Sequence, residues 1–290
     1  MAERQKSDAT LDVDLHENSQ KSAIIVAPNG ARKTQLDHPA LPVTIEEIVN
    51  DVIACRDAGA AMVHLHARDR NGLHSLEIDD NLSTFEAVKT AVGDSIIVQL
   101  TTEAVGQYQP PHQMQLIRET VPEAASFALK ELVPDDSYLS VAETFFHWVN
   151  DNGIIAQYIL YSVEDVQRYF SLIKQGILPN KNHHILLVLG RYHKQLRSTP
   201  ADLAPFLSDQ LLTGNTRWTT CAFGPEEQKC LISAMLMGGD VRVGFENNHF
   251  DSHGLMAKSN AQQVLDIKAV TGLLNINLHN AKSFRETLLS

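Results

Sequence analysis

Ala61-Met62-Val63-His64-Leu65-His66-Ala67-Arg68-Asp69 is an apolar run that ends in two histidines one residue apart, followed by an Arg-Asp pair. Read as a β-strand, it points His64 and His66 to the same face with their Cα atoms ~6.5–7 Å apart. Two imidazoles at that spacing can share one metal ion, since Zn–N bonds run ~2.0–2.1 Å. The other reading is two hydrogen-bonded histidines at a strand end. A third ligand from elsewhere in the chain decides between them.

Outward from this stretch the chain alternates between two kinds of element. Just upstream, Thr44 and Glu47 form a capping box that opens a helix carrying Ile48, Val52, Ile53 and Cys55, ending near Gly59. Before it, the β-branched run 22–27 reads as a buried strand closed by Pro28-Asn29-Gly30. Downstream, strands are expected over 95–100, 124–129, 154–160, 184–189, 217–222 and 240–245. Helices are expected over 79–92, 113–120, 138–152, 163–175, 226–237 and 260–271, with 200–212 largely helical and one more short helix near the end. Eight strands then alternate with helices at a spacing of about 30 residues, the length of one βα repeat. That count predicts an α/β fold of the (β/α)8 or TIM-barrel type. An open doubly wound sheet is the alternative, but no strand leads into a GxGxxG turn.

The polar stretch 1–21 mixes acids and bases without an apolar segment, so it reads as an N-terminal arm rather than a signal peptide. Residues 22–290 read as one barrel domain. A net charge of −11 argues against nucleic acid and anionic membranes as partners. The three cysteines, Cys55, Cys221 and Cys230, form no CxxC motif, which suits a cytoplasmic enzyme. No run of apolar residues is long enough to span a membrane.

A barrel carries its active site at the C-terminal ends of its strands. His64 and His66 end the second strand, and Glu246 ends the eighth. Strands 8, 1 and 2 are contiguous in a closed ring. Two imidazoles and a carboxylate form a three-ligand set with a position left for water or substrate, the usual pattern for catalytic zinc. Manganese or iron suits the same ligands. Arg242, four residues before Glu246, shares its face if the strand runs that far; otherwise it pairs with Glu246 or Glu103. Thr101, Thr102 and Glu103 end the third strand, Ser126 lies in the fourth and Glu131 comes just after it. Each of these either lines the pocket or satisfies a turn, and Asp69 either pairs with Arg68 or caps the next segment. His183 and His184 read as surface or strand-start residues. His249, Tyr192 and His193 are further pocket candidates, and Phe145, Phe146 and Trp148 read as helix-packing core.

The stretches Val26-Ala-Pro-Asn-Gly-Ala-Arg32, His38-Pro-Ala-Leu-Pro42, Ala58-Gly-Ala-Ala-Met-Val-His-Leu-His-Ala-Arg-Asp69, Val241-Arg-Val-Gly-Phe-Glu-Asn-Asn248 and Ser259-Asn-Ala-Gln262 resemble the β-keto acid cleavage enzymes. The type member of that family cleaves 3-keto-5-aminohexanoate. The resemblance implies a zinc-dependent barrel, typically a homotetramer. It also implies a Claisen and retro-Claisen transfer in which a β-keto acid and acetyl-CoA give acetoacetate and a new acyl-CoA. It makes His64, His66 and Glu246 the metal ligands, Arg242 the catalytic arginine, and Thr101 and Ser126 hydroxyls on the substrate. Asn29 and Thr102 join them as substrate-side candidates.

Two positions depart from the family. Asn247 stands where the family has an acid, and an amide has no basicity to serve as a general base. Arg32 stands where the family has a glutamate suited to an amino group; a guanidinium suits a carboxylate or phosphate instead. The substrate expected is therefore anionic rather than 3-keto-5-aminohexanoate. Glu103, where the family commonly has glycine, or Glu131 is expected to take over from the missing acid. The competing readings are metal-assisted hydrolysis and a metal-binding relative without catalysis, both motivated by Asn247.

Overall fold

The structure, a computed structural model, describes residues 21–290. All of the expected arm except Lys21 lies outside the described residues. Eight parallel strands close into a barrel in chain order. They are β1 (Ile24–Val26), β2 (Met62–Leu65), β3 (Ile97–Leu100), β4 (Ala124–Ala128), β5 (Ile155–Leu160), β6 (His184–Leu189), β7 (Arg217–Ala222) and β8 (Asp240–Val243). Around them run α1 (Ile45–Ala58), α2 (Ile78–Val92), α3 (Pro110–Thr120), α4 (Leu129–Leu132), α5 (Leu139–Asp151), α6 (Val163–Lys174), α7 (Asp209–Thr213), α8 (Glu227–Leu236), α9 (Asn260–Leu273) and α10 (Ala281–Leu288). No described helix is long and apolar enough to cross a membrane.

The strands are buried on both faces, and the two faces do different work. Outward residues such as Val63, Leu65, Val98, Leu100 and Phe127 pack with the inner faces of the helices in the main core. Phe127 meets Phe145 and Phe146 of α5 edge to face, as expected for helix-packing aromatics. Inward residues fill the barrel in layers. At the N-terminal end Ile25, Met62, Ile97, Ala124 and Ile155 pack on Phe284 of α10, which closes the bottom. Beside them Arg217 Nε donates to Asp240 Oδ2 at 2.6 Å. The next layer is polar where barrels usually place aliphatic side chains: Gln99, Gln157, His184 and Thr219 are all buried there.

Several boundaries move for local reasons. The capping box holds: Glu47 N donates to Thr44 Oγ1 at 3.2 Å, and Gly59 ends α1 at φ 119°. α3 starts at Pro110, earlier than expected, because the first helical positions need no N–H. The 200–212 stretch is a 3-10 segment, Pro200–Phe206, followed by α7; Pro205 removes a donor an α-helix would require. The expected strand over 240–245 stops at Val243. There Gly244 turns the chain at φ +133°, and an added Cβ would lie 2.2 Å from Ala27 O, so only glycine fits.

Candidate active site

Because β8 ends at Val243, Glu246 does not ride on a strand beside Arg242. It reaches the barrel mouth from the turn after Gly244, against Gly30 of the β1–α1 loop. A Cβ on Gly30 would lie 2.6 Å from Glu246 Cγ, and Gly30 has φ +63°. Arg68 supports that loop from below: its guanidinium donates to Gly30 O and to Lys33 O at 2.9 Å. Asn29 Nδ2 donates to His66 O at 3.0 Å, which ties the end of β1 to the second histidine. Asp69 accepts from Asn71 N and Leu73 N and so shapes the turn after β2.

His64 Nε2 and His66 Nε2 lie 3.1 Å apart. Glu246 Oε2 stands 3.3 Å from His66 Nε2 and 3.6 Å from His64 Nε2. These three atoms form the corners of a small triangle. Tetrahedral coordination with bonds of ~2.0–2.1 Å puts neighbouring ligand atoms about 3.3–3.4 Å apart, and the observed edges bracket that value. Glu246 Oε2 is buried and has no hydrogen-bond partner. Burial pulls the His64 imidazole down to about 4 and His66 to about 3, so both are neutral and carry a lone pair. Burial would push the Glu246 carboxyl up, but Arg242 and the two imidazoles outweigh it and hold it well below the carboxylate range. An anion and two neutral imidazoles converging on one buried point fit a divalent cation. Among the described residues, His64, His66 and Glu246 form a group that can hold a metal ion.

Arg242 projects inward from β8, nearly fully buried. Its Nη2 donates to Glu246 Oε1 at 2.8 Å and lies 3.5 Å from Cys221 Sγ, while Nε and Nη1 have no partner. A cavity of 300 Å³ opens above this centre. Glu103 reaches into it, with Oε2 3.9 Å from His66 Nε2 and Oε1 3.7 Å from Arg191 Nη2. Burial, together with the negative charge of Glu246, pushes the Glu103 carboxyl up to about 7. Thr101 also lines the cavity, and its Oγ1 accepts from Glu103 N at 3.0 Å. Arg32, Lys33 and Arg191 add three cations to the walls, and Ile159, Val188 and Phe223 supply the apolar surface. Lys33 Nζ donates to Phe245 O at 2.7 Å, and burial draws this amine down to about 8.

The other expected residues stand apart from the cavity. Glu131 lies in α4, where Oε2 accepts from Ala104 N at 2.9 Å and from Gln113 Nε2 at 3.3 Å, so it fastens the β3–α3 loop. Thr102 donates to Ser126 O at 2.8 Å, whereas Ser126 Oγ is buried without a partner. Asn247 is buried with both amide atoms unpartnered, beside a second cavity of 390 Å³ that shares Lys33, Leu196 and Phe223 with the first. His249 also borders that second cavity. Tyr192 is exposed and its ring lies tilted beside that of Tyr161, with Lys130 Nζ 3.9 Å and 4.0 Å from the Tyr161 and Tyr192 ring centroids. His184, far from being a surface residue, lies in the barrel interior.

Lys33, Arg191 and Tyr161 enter the cavity without having been singled out in the sequence. Arg191 carried the clearest signal, because it comes directly after Gly190 at the end of the sixth strand. Gln99 had a similar one, a polar residue at an inward position of an apolar strand.

Fold and site together define a (β/α)8 barrel with a two-histidine, one-carboxylate centre at its C-terminal mouth. The chain belongs to the β-keto acid cleavage enzyme family, whose model matches residues 21–289. It is 29% identical over 250 residues to the 3-keto-5-aminohexanoate cleavage enzyme of Fusobacterium nucleatum subsp. nucleatum, covering 84% of this chain and 89% of that protein. It is 26% identical over 263 residues to the 3-oxoadipate:acetyl-CoA acetyltransferase of Cupriavidus necator, covering 87% and 89%. Among solved structures, apo ObcA superposes with a TM-score of 0.67 at 18% identity, covering 86% of this chain and 65% of that one. A type I 3-dehydroquinate dehydratase from Clostridium difficile reaches 0.60 at 9% identity over 90% and 94%. At such identities these two likenesses speak for the fold alone.

Proposed function

We propose that the protein is a zinc-dependent β-keto acid cleavage enzyme that uses acetyl-CoA and takes an anionic β-keto acid. The observation that carries this reading is the His64, His66 and Glu246 triangle with Arg242 bonded to its carboxylate and Glu103 opposite. The Fusobacterium and Cupriavidus relatives support the reaction class. The overall change is R–CO–CH2–COO⁻ plus acetyl-CoA giving acetoacetate plus R–CO–CoA. The bond between C2 and the keto carbon breaks, C2 joins the acetyl carbonyl carbon, and the acyl group R–CO passes to the sulfur.

His64, His66 and Glu246 would hold a divalent cation, which when bound would supply Lewis acidity to the substrate's keto oxygen. Glu103 takes a proton from C2 and returns it to C2 after the acyl group has left; a carboxyl near 7 suits both directions. Arg242 stabilises the negative charge that grows while the proton is away. Thr101 orients Glu103 through its backbone and borders the substrate. Asn247 takes no part in proton transfer. Arg32, Lys33 and Arg191 favour a substrate with a second negative group, for which a charge-assisted pair is the strong contact.

The test is to measure metal content by mass spectrometry and to screen cationic, neutral and dicarboxylic β-keto acids with acetyl-CoA, following the new thioester. About one zinc per chain and transfer from dicarboxylic substrates are expected, with Arg32→Glu moving the preference toward amino-substituted ones. Transfer only from cationic substrates, or a metal-free active enzyme, would overturn it.

A further inference from the structure

Beneath the metal triangle, a line of hydrogen bonds crosses the barrel interior. His64 and Gln99 are directly paired on β2 and β3, and Gln99 Oε1 lies 2.7 Å from His64 Nδ1. Gln99 Nε2 donates to Gln157 Oε1 at 3.3 Å. That reach passes over β4, where the residue paired with Gln99 is Ala124, small enough to leave the way open. Gln157 and His184 are paired in turn on β5 and β6, with Gln157 Nε2 2.9 Å from His184 Nε2. Thr219 Oγ1 ends the line 2.9 Å from His184 Nε2. Every one of these side chains is shut off from solvent.

An amide presents an acceptor at one end and donors at the other, so a line of amides has a direction. We propose that Gln99, Gln157 and His184 form a one-way hydrogen-bond chain that fixes the His64 proton on Nδ1 and keeps the Nε2 lone pair turned to the cation site. This inference rests on the metal site proposed above.

The direction is set by the partners. Gln99 meets His64 with its oxygen, which can only accept, so Nδ1 must hold the proton. Gln99 can present that oxygen because its amide group is engaged by the oxygen of Gln157. Gln157 is oriented by the acceptor nitrogen of His184, whose ring is kept neutral by burial, and Gln157 Nε2 also donates to Thr219 Oγ1 at 3.5 Å. Turning the chain around would aim an N–H at His64 Nδ1 and force the proton onto Nε2. That proton would then sit between two imidazoles only 3.1 Å apart, in the space a cation needs. Polar partners that fix the tautomer of a metal-ligating histidine are worth about 10–100-fold in metal affinity. Gln99, Gln157 and His184 are thus positioning residues; Gln157 and His184 act from a distance, since the only ligand that the chain touches is His64.

Two measurements test the chain. In the metal-free protein, long-range ¹H–¹⁵N correlation of ¹⁵N-histidine should find His64 protonated on Nδ1. Zinc affinity, read by competition with a chromogenic chelator, should fall about 10–100-fold in Gln99→Met and about 3–10-fold in Gln157→Met. Gln99→Glu keeps an acceptor facing Nδ1 and should bind zinc within about threefold of the parent. A His64 proton on Nε2, or unchanged zinc affinity in both methionine variants, would overturn the proposal. Should Gln99→Met not fold, Gln99→Glu and the tautomer of the parent protein still decide. If the parent bound no zinc, the metal reading would fail, whereas the tautomer measurement would still judge the chain.

Discussion

Arg242 Nη2 donates to Glu246 Oε1 at 2.8 Å, while Oε2 of the same carboxylate faces the imidazoles of His64 and His66. One carboxylate thus neutralises a buried guanidinium and keeps its second oxygen turned toward the two imidazoles. Glu246→Gln removes both services at nearly constant volume. Zinc should be lost from the purified variant, and an unpaired buried Arg242 should lower stability by about 3–5 kcal/mol. Metal analysis and urea unfolding check the two effects separately.

Arg242→Gln should separate binding from chemistry. Glu246 keeps its charge, so zinc should remain, whereas turnover should fall about 10²–10³-fold as the stabilising cation disappears. A variant with zinc bound and parental kcat would remove Arg242 from the mechanism.

Glu103 and Glu131 look alike in the sequence and part company in the fold. Glu103→Gln should cost about 10²–10⁴-fold in kcat with zinc retained. Glu131→Gln still accepts from Ala104 N through its amide oxygen, so its cost should be within about 1 kcal/mol of stability and a few-fold in rate. Equal losses of kcat in the two variants would contradict the assignment.

Glu227, at the start of α8, is buried with Oε1 unpartnered and Oε2 accepting from Asn248 Nδ2 at 3.0 Å. Burial pushes its carboxyl up to about 8, against the pull of Lys33 and Arg242. Its folded value lies above its unfolded value, so between pH 4.5 and 8 the native state holds a proton that the unfolded chain has released. Stability therefore falls as pH rises through that window. Glu227→Gln should abolish this part of the slope, leaving stability unchanged at pH 4 and raising it by up to about 5 kcal/mol at pH 9. Thermal unfolding across that range reads the difference.

The alternation of strands and helices was legible because the outward strand face and the helix faces that pack on it must both be apolar. His64, His66 and Glu246 were legible for another reason: strand ends are the one place where a barrel gathers residues distant in sequence. The direction of Glu246 was not, since it depends on a turn at Gly244 forced by the nearness of Ala27. Nor was the fate of Glu131, decided by a single helical turn, α4, that tips the carboxylate toward Ala104 N. His184 looked like a residue at a strand entrance, which it is. Its role comes from sharing the inward face with Gln157, a fact of register that pattern alone does not fix.

Gly30 lies in the first loop of the barrel and touches Glu246 in the last, and the two histidines stand at the end of the strand beside it, His64 within β2 and His66 just past it. The centre is therefore built on the seam where the ring of strands is joined. During synthesis the histidine half emerges early and waits for a further 180 residues, from 66 to 246, before its carboxylate arrives. Under the metal reading proposed above, loading of the ion would report a completed ring, because until β8 docks the two imidazoles stand without their carboxylate.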